Sequence, residues 1–143
     1  MRNILGLLLI GTAAVTGCER EAAETTVEDR WYTHEQVSRG KPLFAQHCAA
    51  CHGEFGQGLA EDWRKTDANG NYPPPPLNGT AHTWHHPTDV LLRTIENGGV
   101  PLGGVMPAFA TVLDESQSLE IIAYFQSWWT DDIYKRWLEI DRR

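Results

Sequence analysis

The spacing of apolar residues after residue 30 favours helices. Val37, Phe44 and Cys48 recur so that they share one face of a helix that begins after Thr33. Pro42 falls inside this pattern, and it predicts a start or a kink at that point because proline has no N–H to donate. Residues 130–143 are predicted to form a further short helix.

Two more helices are predicted between these ends. Residues 88–97 carry an apolar stripe that stops at Gly98, a residue suited to end a helix. Asp114 or Ser116 is suited to cap a longer helix, whose apolar positions are Leu119, Ile122, Phe125 and Trp129. No stretch alternates convincingly as a strand does, so the pattern predicts an all-α fold.

The remaining segments are predicted loops. Residues 59–71 are polar and rich in turn formers, and four consecutive prolines follow at 73–76, which favour an extended loop. Residues 100–113 are rich in Gly and Pro and separate the last two apolar stripes. These loops therefore connect the helices, and they contain most of the candidate chemistry described below.

Size and charge narrow the class of protein. A chain of 143 residues with 41% apolar residues fits one compact domain and argues against disorder. The formal net charge of -7 argues against a nucleic-acid partner.

The N-terminus has the pattern of an export signal. Arg2 precedes a short apolar run, and residues 15–18 resemble the bacterial lipobox that ends in a lipidated cysteine. By that resemblance residues 1–17 are a signal peptide and Cys18 is the lipid-anchored first residue of the mature protein; the alternative is an ordinary signal with a chance cysteine. Residues 18–30 are then a flexible acidic tether, and residues 31–143 are the domain with a C-terminal extension.

Cys48, Cys51 and His52 allow three chemistries. A structural zinc site needs four ligands, usually in two separated pairs, and the domain has only this one cysteine pair. A thioredoxin-like dithiol should follow a strand, whereas a helix is predicted here. A covalent haem uses all three residues: the thiols bond to the porphyrin, and the adjacent His52 supplies an iron ligand.

The sixth iron position has several candidate ligands. Met106 is the only methionine outside the predicted signal peptide, and its flexible loop can present a thioether sulfur. His82, His85 and His86 are the competing ligands. The same three histidines also leave open a second metal site, because imidazole binds copper well.

In combination, these features resemble those of class I bacterial cytochromes c over roughly residues 33–129. Gly40 and Phe44 match the family's first helix, and Ile121 and Tyr124 match positions on the last helix that packs against it. The resemblance implies three to five helices packed around one covalently bound haem c. It also implies that residues 106–129 run from the ligand loop to the final helix.

The resemblance assigns roles to three further residues. Pro75 and Leu77 match the family's P-x-L-x-G segment, so the Pro75 carbonyl is expected to accept the Nδ1 proton of His52 and Leu77 to pack on the haem. Trp84 precedes the middle helix, much as the family places a tryptophan that donates to a haem propionate.

The expected function is single-electron transfer rather than catalysis. With His52 and Met106 both on the iron no substrate binds there, and the expected partners are redox proteins of a membrane-associated respiratory or periplasmic chain, a terminal oxidase among them. The expected location is the periplasm or outer face, anchored by the lipid. Three alternatives stay open: a haem enzyme or gas sensor with an open iron site, a copper-handling or oxidase-assembly protein, and a fixed subunit of a larger oxidoreductase.

Overall fold

A computed structural model describes residues 26–142, and in this range it contains helices and no strand. Cys18 and the predicted signal peptide lie outside the described residues. The helices are α1 (His34–His47), α2 (Ala49–His52), α3 (Thr88–Asn97), α4 (Glu115–Gln126) and α5 (Asp131–Asp141), with short 3-10 turns at Thr83–His85 and Val100–Leu102. Within the same range, each of these helices falls short of the length and apolar character that crossing a membrane requires.

The helix boundaries follow their capping residues. The side chains of Thr33 and Asp114 each accept a hydrogen bond from the third helical N–H, and the side-chain oxygen of the glutamine at that position accepts one from the N–H of the capping residue. Gly98 ends α3 with φ near +78°, as predicted. Of the start or kink predicted at Pro42, the start is wrong, because α1 begins at His34 and continues through Pro42. A proline costs one hydrogen bond inside a helix, and capping and packing of α1 outweigh that loss.

The predicted contact between the first and last family helices is confirmed. Gly40 of α1 lies so close to α4 that a Cβ built on it would be 2.5 Å from the carbonyl carbon of Glu120. Phe44, one turn further on, is fully buried with its ring 5.6 Å from that of Tyr124 and 5.2 Å from that of Trp128. The missing side chain at Gly40 therefore permits the crossing that buries Phe44.

The segment before α1 packs against α5. Arg30 pairs with Asp131 at 2.6 Å, and its guanidinium lies 4.1 Å from the ring centre of Tyr134. The Trp31 N–H donates to the Tyr134 hydroxyl at 2.9 Å, and Tyr32 is buried beside it. Residues 18–30 were predicted to form a tether, yet Arg30 at its end contacts α5 and Val27 packs against the core.

Helix α5 also contacts the segment that leads into α3. The Trp137 indole N–H donates to the His86 carbonyl at 3.1 Å. The Thr88 N–H, one of the unpaired donors at the start of α3, donates to the Asp141 carboxylate at 2.6 Å. The C-terminal extension is therefore part of the folded domain and supplies the cap that Pro87, at the N-cap position of α3, does not.

Candidate functional site

The two cysteines sit at the junction of α1 and α2. Cys48 ends α1 and is half-buried against the core, while Cys51 lies on α2 and is exposed. Both thiols are free. Burial, and then the nearby Cys51, raises the pKa of Cys48 to about 12, so this sulfur is a neutral thiol at neutral pH. The site thus places two cysteine sulfurs about one helical turn apart, with no disulfide between them.

His52 follows directly and is held in one orientation. Its side chain is buried, and Nδ1 donates to the Pro75 carbonyl oxygen at 2.8 Å. This is the contact that the P-x-L-x-G resemblance implies. Burial lowers the pKa of His52 more than the Pro75 carbonyl raises it, so the ring is neutral at pH 7. With Nδ1 protonated, the lone pair of a neutral imidazole is at Nε2, which is the atom free to bind a metal.

Three hydrogen bonds hold the segment that contains Pro75. The Leu77 N–H donates to the Gly56 carbonyl at 2.6 Å, and the Leu77 carbonyl accepts from the Trp129 indole at 2.7 Å. The buried Thr83 hydroxyl donates to the Pro76 carbonyl at 2.9 Å. Gly56, Thr83 and Trp129 were not predicted to belong to the site. Trp129 was identified only as a core position, and nothing in its spacing indicated a hydrogen bond 52 residues away.

The Met106 loop is fixed to the end of α3. The Gly99 N–H donates to the Met106 carbonyl at 3.0 Å, and the Phe109 N–H donates to the Ile95 carbonyl at 3.0 Å. A Cβ on Gly98 would lie 2.7 Å from the Met106 carbonyl oxygen, so this close approach requires glycine. Met106 itself is half-buried and packs against the core. The sequence predicted a flexible loop here, whereas its backbone is well connected.

The structure brings the predicted residues to the border of one core. Cys48, Leu77, Trp84 and Met106 are all partly buried and pack against the same buried cluster. Trp84 lies in the Thr83–His85 turn, with its ring 3.8 Å from that of His85 and 5.9 Å from the guanidinium of Arg136.

The three histidines do not converge as a metal site would require. His82 stacks on Trp63, with ring centres 4.5 Å apart, and its ring centre lies 5.2 Å from that of His86, while His85 packs on Trp84. Burial, followed by the neighbouring histidines, lowers the pKa of both His82 and His86. Across residues 26–142 no three His, Cys, Asp or Glu side chains are grouped so that they can share a metal ion. The copper hypothesis therefore lacks support in this geometry.

The donor set fits a covalently bound haem. Two free thiols precede a neutral imidazole whose Nδ1 is already engaged, which leaves Nε2 for iron. Met106 offers a thioether, and a nitrogen and a sulfur ligand together are a known axial pair for haem c. No other chemistry considered above uses all four side chains.

Comparison with known proteins gives an independent result. The family model for cytochrome c oxidase, cbb3-type, subunit III, matches residues 35–125. A CcoP subunit of a cbb3-type cytochrome c oxidase from Azospirillum brasilense is 34% identical over 90 residues, which is 62% of this chain and 27% of that protein. The CcoP subunit from Azospirillum sp. (strain B510) is 32% identical over 89 residues. The chain thus spans about a quarter of the length of these relatives.

A solved structure supports the fold. Cytochrome CL from the marine methylotrophic bacterium Methylophaga aminisulfidivorans MPT superposes with a TM-score of 0.52. The match covers 72% of this chain and 61% of the other, at 22% identity. At this identity the likeness bears on the fold alone, and it confirms the prediction of an all-α cytochrome c architecture.

Proposed function

The chain belongs to the cytochrome c oxidase, cbb3-type, subunit III family, and from that premise we propose that it is a one-haem carrier of single electrons to a terminal oxidase. Membership of this family confirms the resemblance to cytochromes c and implies covalently bound haem c. The observation that carries the proposal is the hydrogen bond from His52 Nδ1 to the Pro75 carbonyl beside two free thiols.

The side chains divide the work of holding the haem. Cys48 and Cys51 would attach it, His52 would bind its iron through Nε2, and Met106 would be the second protein ligand of the iron. Bound in this way, haem c supplies a reversible one-electron change at iron. The Pro75 carbonyl fixes the His52 ring and raises its basicity, Leu77 would pack on the haem, and Trp84 would donate to a propionate. With His52 and Met106 both bound to it, the iron would not be open to small molecules.

The proposal also covers the electron acceptor and the location of the domain. The CcoP relatives are subunits of an oxidase, which favours a terminal oxidase as the electron acceptor. The same observation favours a second candidate function, a fixed subunit of such an oxidase rather than a mobile carrier. The lipid at Cys18 and the tether that follows it would keep the domain at the membrane, where confinement raises the effective concentration of a membrane partner.

The visible spectrum and the mass of the purified mature protein test the ligand set. We expect one covalent haem, a lipid-modified N-terminus at Cys18, and a weak band near the red end of the oxidised spectrum that reports methionine on ferric iron. Met106→Ala should abolish that band and open the site to added cyanide. Val105→Ala, in the same loop, is the matched control and should retain the band.

Two outcomes would contradict the proposal. If Met106→Ala keeps the band, another residue is the sixth ligand; if the wild-type protein lacks it, the iron site is open and the enzyme or sensor hypothesis gains. Purification from gently solubilised membranes separates the two candidate functions, because a fixed subunit stays with the oxidase through dilution and washing that release a weakly bound carrier.

A further inference from the structure

The first described residues form a closed turn before α1. We call residues 26–32 the strap. The chain reverses direction at Asp29, whose φ of 58° is a left-handed conformation that aspartate adopts more readily than most residues. An antiparallel bridge joins Thr26 to Thr33, the residue that caps α1. The strap therefore starts beside the point at which it ends.

Side chains fasten the strap to α4 and α5. The guanidinium of Arg30, only 12% exposed, pairs with Asp131 and also lies over the ring of Tyr134. The Trp31 indole N–H donates to the side-chain oxygen of Gln126, a fully buried residue of α4, at 2.6 Å. A hydrogen bond between two charged groups is about twice as strong as a neutral one, so the strap is firmly docked.

Docking of the strap shortens the chain that links the domain to Cys18. Residues 18–25 precede the strap, and eight residues span at most about 28 Å. With residues 26–30 free as well, thirteen residues would span about 46 Å. A domain of this size is about 35 Å across, so a link that passes round to its far side must cover roughly 55 Å. The docked strap leaves a link of only half that length.

The surface around the strap is charged rather than apolar. Glu28 and Asp29 of the strap are exposed, as are Asp131 and Asp132 at the start of α5. In the described part of the chain, the exposed large apolar side chains all belong to residues 55–112. Burial in the acyl region of a bilayer requires apolar side chains, and carboxylates are repelled by anionic headgroups. This surface is therefore suited to lie near lipid headgroups without entering the bilayer.

We propose that the strap and the start of α5 are the side of the domain that faces the lipid headgroups, and that the docked strap keeps the domain in this orientation. The inference rests on the proposed function, since it needs the lipid at Cys18. It adds how the anchored domain is oriented. A domain held in one orientation always presents the same surfaces to a partner in the membrane, which raises the effective concentration of those surfaces.

Broadening of amide NMR signals by a spin label on lipid headgroups tests the orientation. Lipidated, haem-loaded, reduced protein is placed in nanodiscs of zwitterionic phospholipid, in which a small fraction of the headgroups carries the label. Broadening at Asp132 is compared with broadening at Glu61, an exposed residue outside the strap and α5. Arg30→Ala breaks the ion pair that docks the strap. Arg93→Ala is the matched control, because it breaks an exposed arginine–aspartate pair within α3.

In the wild type and in Arg93→Ala, broadening at Asp132 should exceed that at Glu61. In Arg30→Ala the link gains up to about 18 Å, so this excess should fall by at least about twofold. Asp131→Ala breaks the same pair from its exposed partner and should act alike, which keeps the test valid if Arg30→Ala folds poorly. An equal or reversed pattern in the wild type, or an undiminished excess in the folded variants, would overturn the orientation alone.

Two further measurements separate this inference from the proposals beneath it. Cys18→Ser, added to the same nanodiscs, should show no broadening, and the wild-type pattern in this variant would overturn the role of the link. A mass spectrum of the wild type without lipid at Cys18 would overturn the proposed anchoring. The visible spectrum reports the haem and its ligands whatever the orientation, so failure of the electron-transfer proposal is recognised separately.

Discussion

Replacing Gly40 by alanine sets two well-known effects against each other. In a helix interior alanine is favoured over glycine by about 1 kcal/mol, so propensity alone predicts stabilisation. In this fold, however, the new Cβ would lie 2.5 Å from the Glu120 carbonyl carbon and 3.0 Å from the Tyr124 Cβ. Ordinary contacts begin at 3.4 Å, so α1 and α4 must separate by about 1 Å, because a backbone carbonyl cannot rotate away.

The net effect should be a clear loss of stability. Overpacking of this kind costs about 3 kcal/mol at the upper end of its usual range, and the propensity gain of about 1 kcal/mol leaves a loss of about 2 kcal/mol. In urea unfolding of the haem-loaded protein, followed by circular dichroism, this corresponds to a midpoint lower by about 1 M. Ser38→Ala, an exposed site on the same helix, should raise the midpoint slightly. A Gly40→Ala midpoint at or above the wild-type value would refute the steric argument.

Two other predictions concern the segment between the proline run and α3. Asp141→Ala removes the carboxylate that caps Thr88 and should cost about 1 kcal/mol in the same unfolding assay, whereas Asp141→Asn, which keeps an acceptor oxygen, should cost less. Since burial lowers the pKa of His82 in the folded state, its contribution to stability is complete above the unfolded pKa of 6.5 and declines as the pH falls toward the folded value. Between pH 7.5 and 5.5 the free energy of unfolding of His82→Gln should therefore fall less than that of the wild type. If the two fall in parallel, the pH dependence does not come from His82.

Much of the fold could be predicted because its signals are local. The capping residues Thr33 and Asp114 mark where α1 and α4 begin, and Gly98 marks the end of α3. The candidate ligands could also be named from sequence. Cys48, Cys51 and His52 form one short motif, and Met106 has no competing methionine in the domain. The helix boundaries and the pattern from Cys48 to His52 use residues within a few positions of one another, where spacing has direct physical meaning.

The supports of the site could not be predicted in this way. Thr83 holds the Pro76 carbonyl and Trp129 holds the Leu77 carbonyl through side chains that sequence spacing does not relate to their partners. Arg30, assigned to a tether by its polar neighbours, is instead paired with Asp131 on α5. Contacts across 50 or 100 residues depend on how the helices pack, and helical periodicity reports only which face of each helix is buried.

The chain after residue 125 lies beyond the region that the family model matches, yet it supports the matched region. Trp129 and Trp137 donate to the carbonyls of Leu77 and His86, and Asp141 accepts from the Thr88 N–H. Each of the three bonds has a backbone atom as its partner. They therefore fix the main chain on both sides of Trp84 independently of the side chains at the bonded positions. The first of them lies two residues from the Pro75 carbonyl that orients His52. Trp129 thus stabilises the orientation of His52 by bracing the segment to which His52 is hydrogen-bonded.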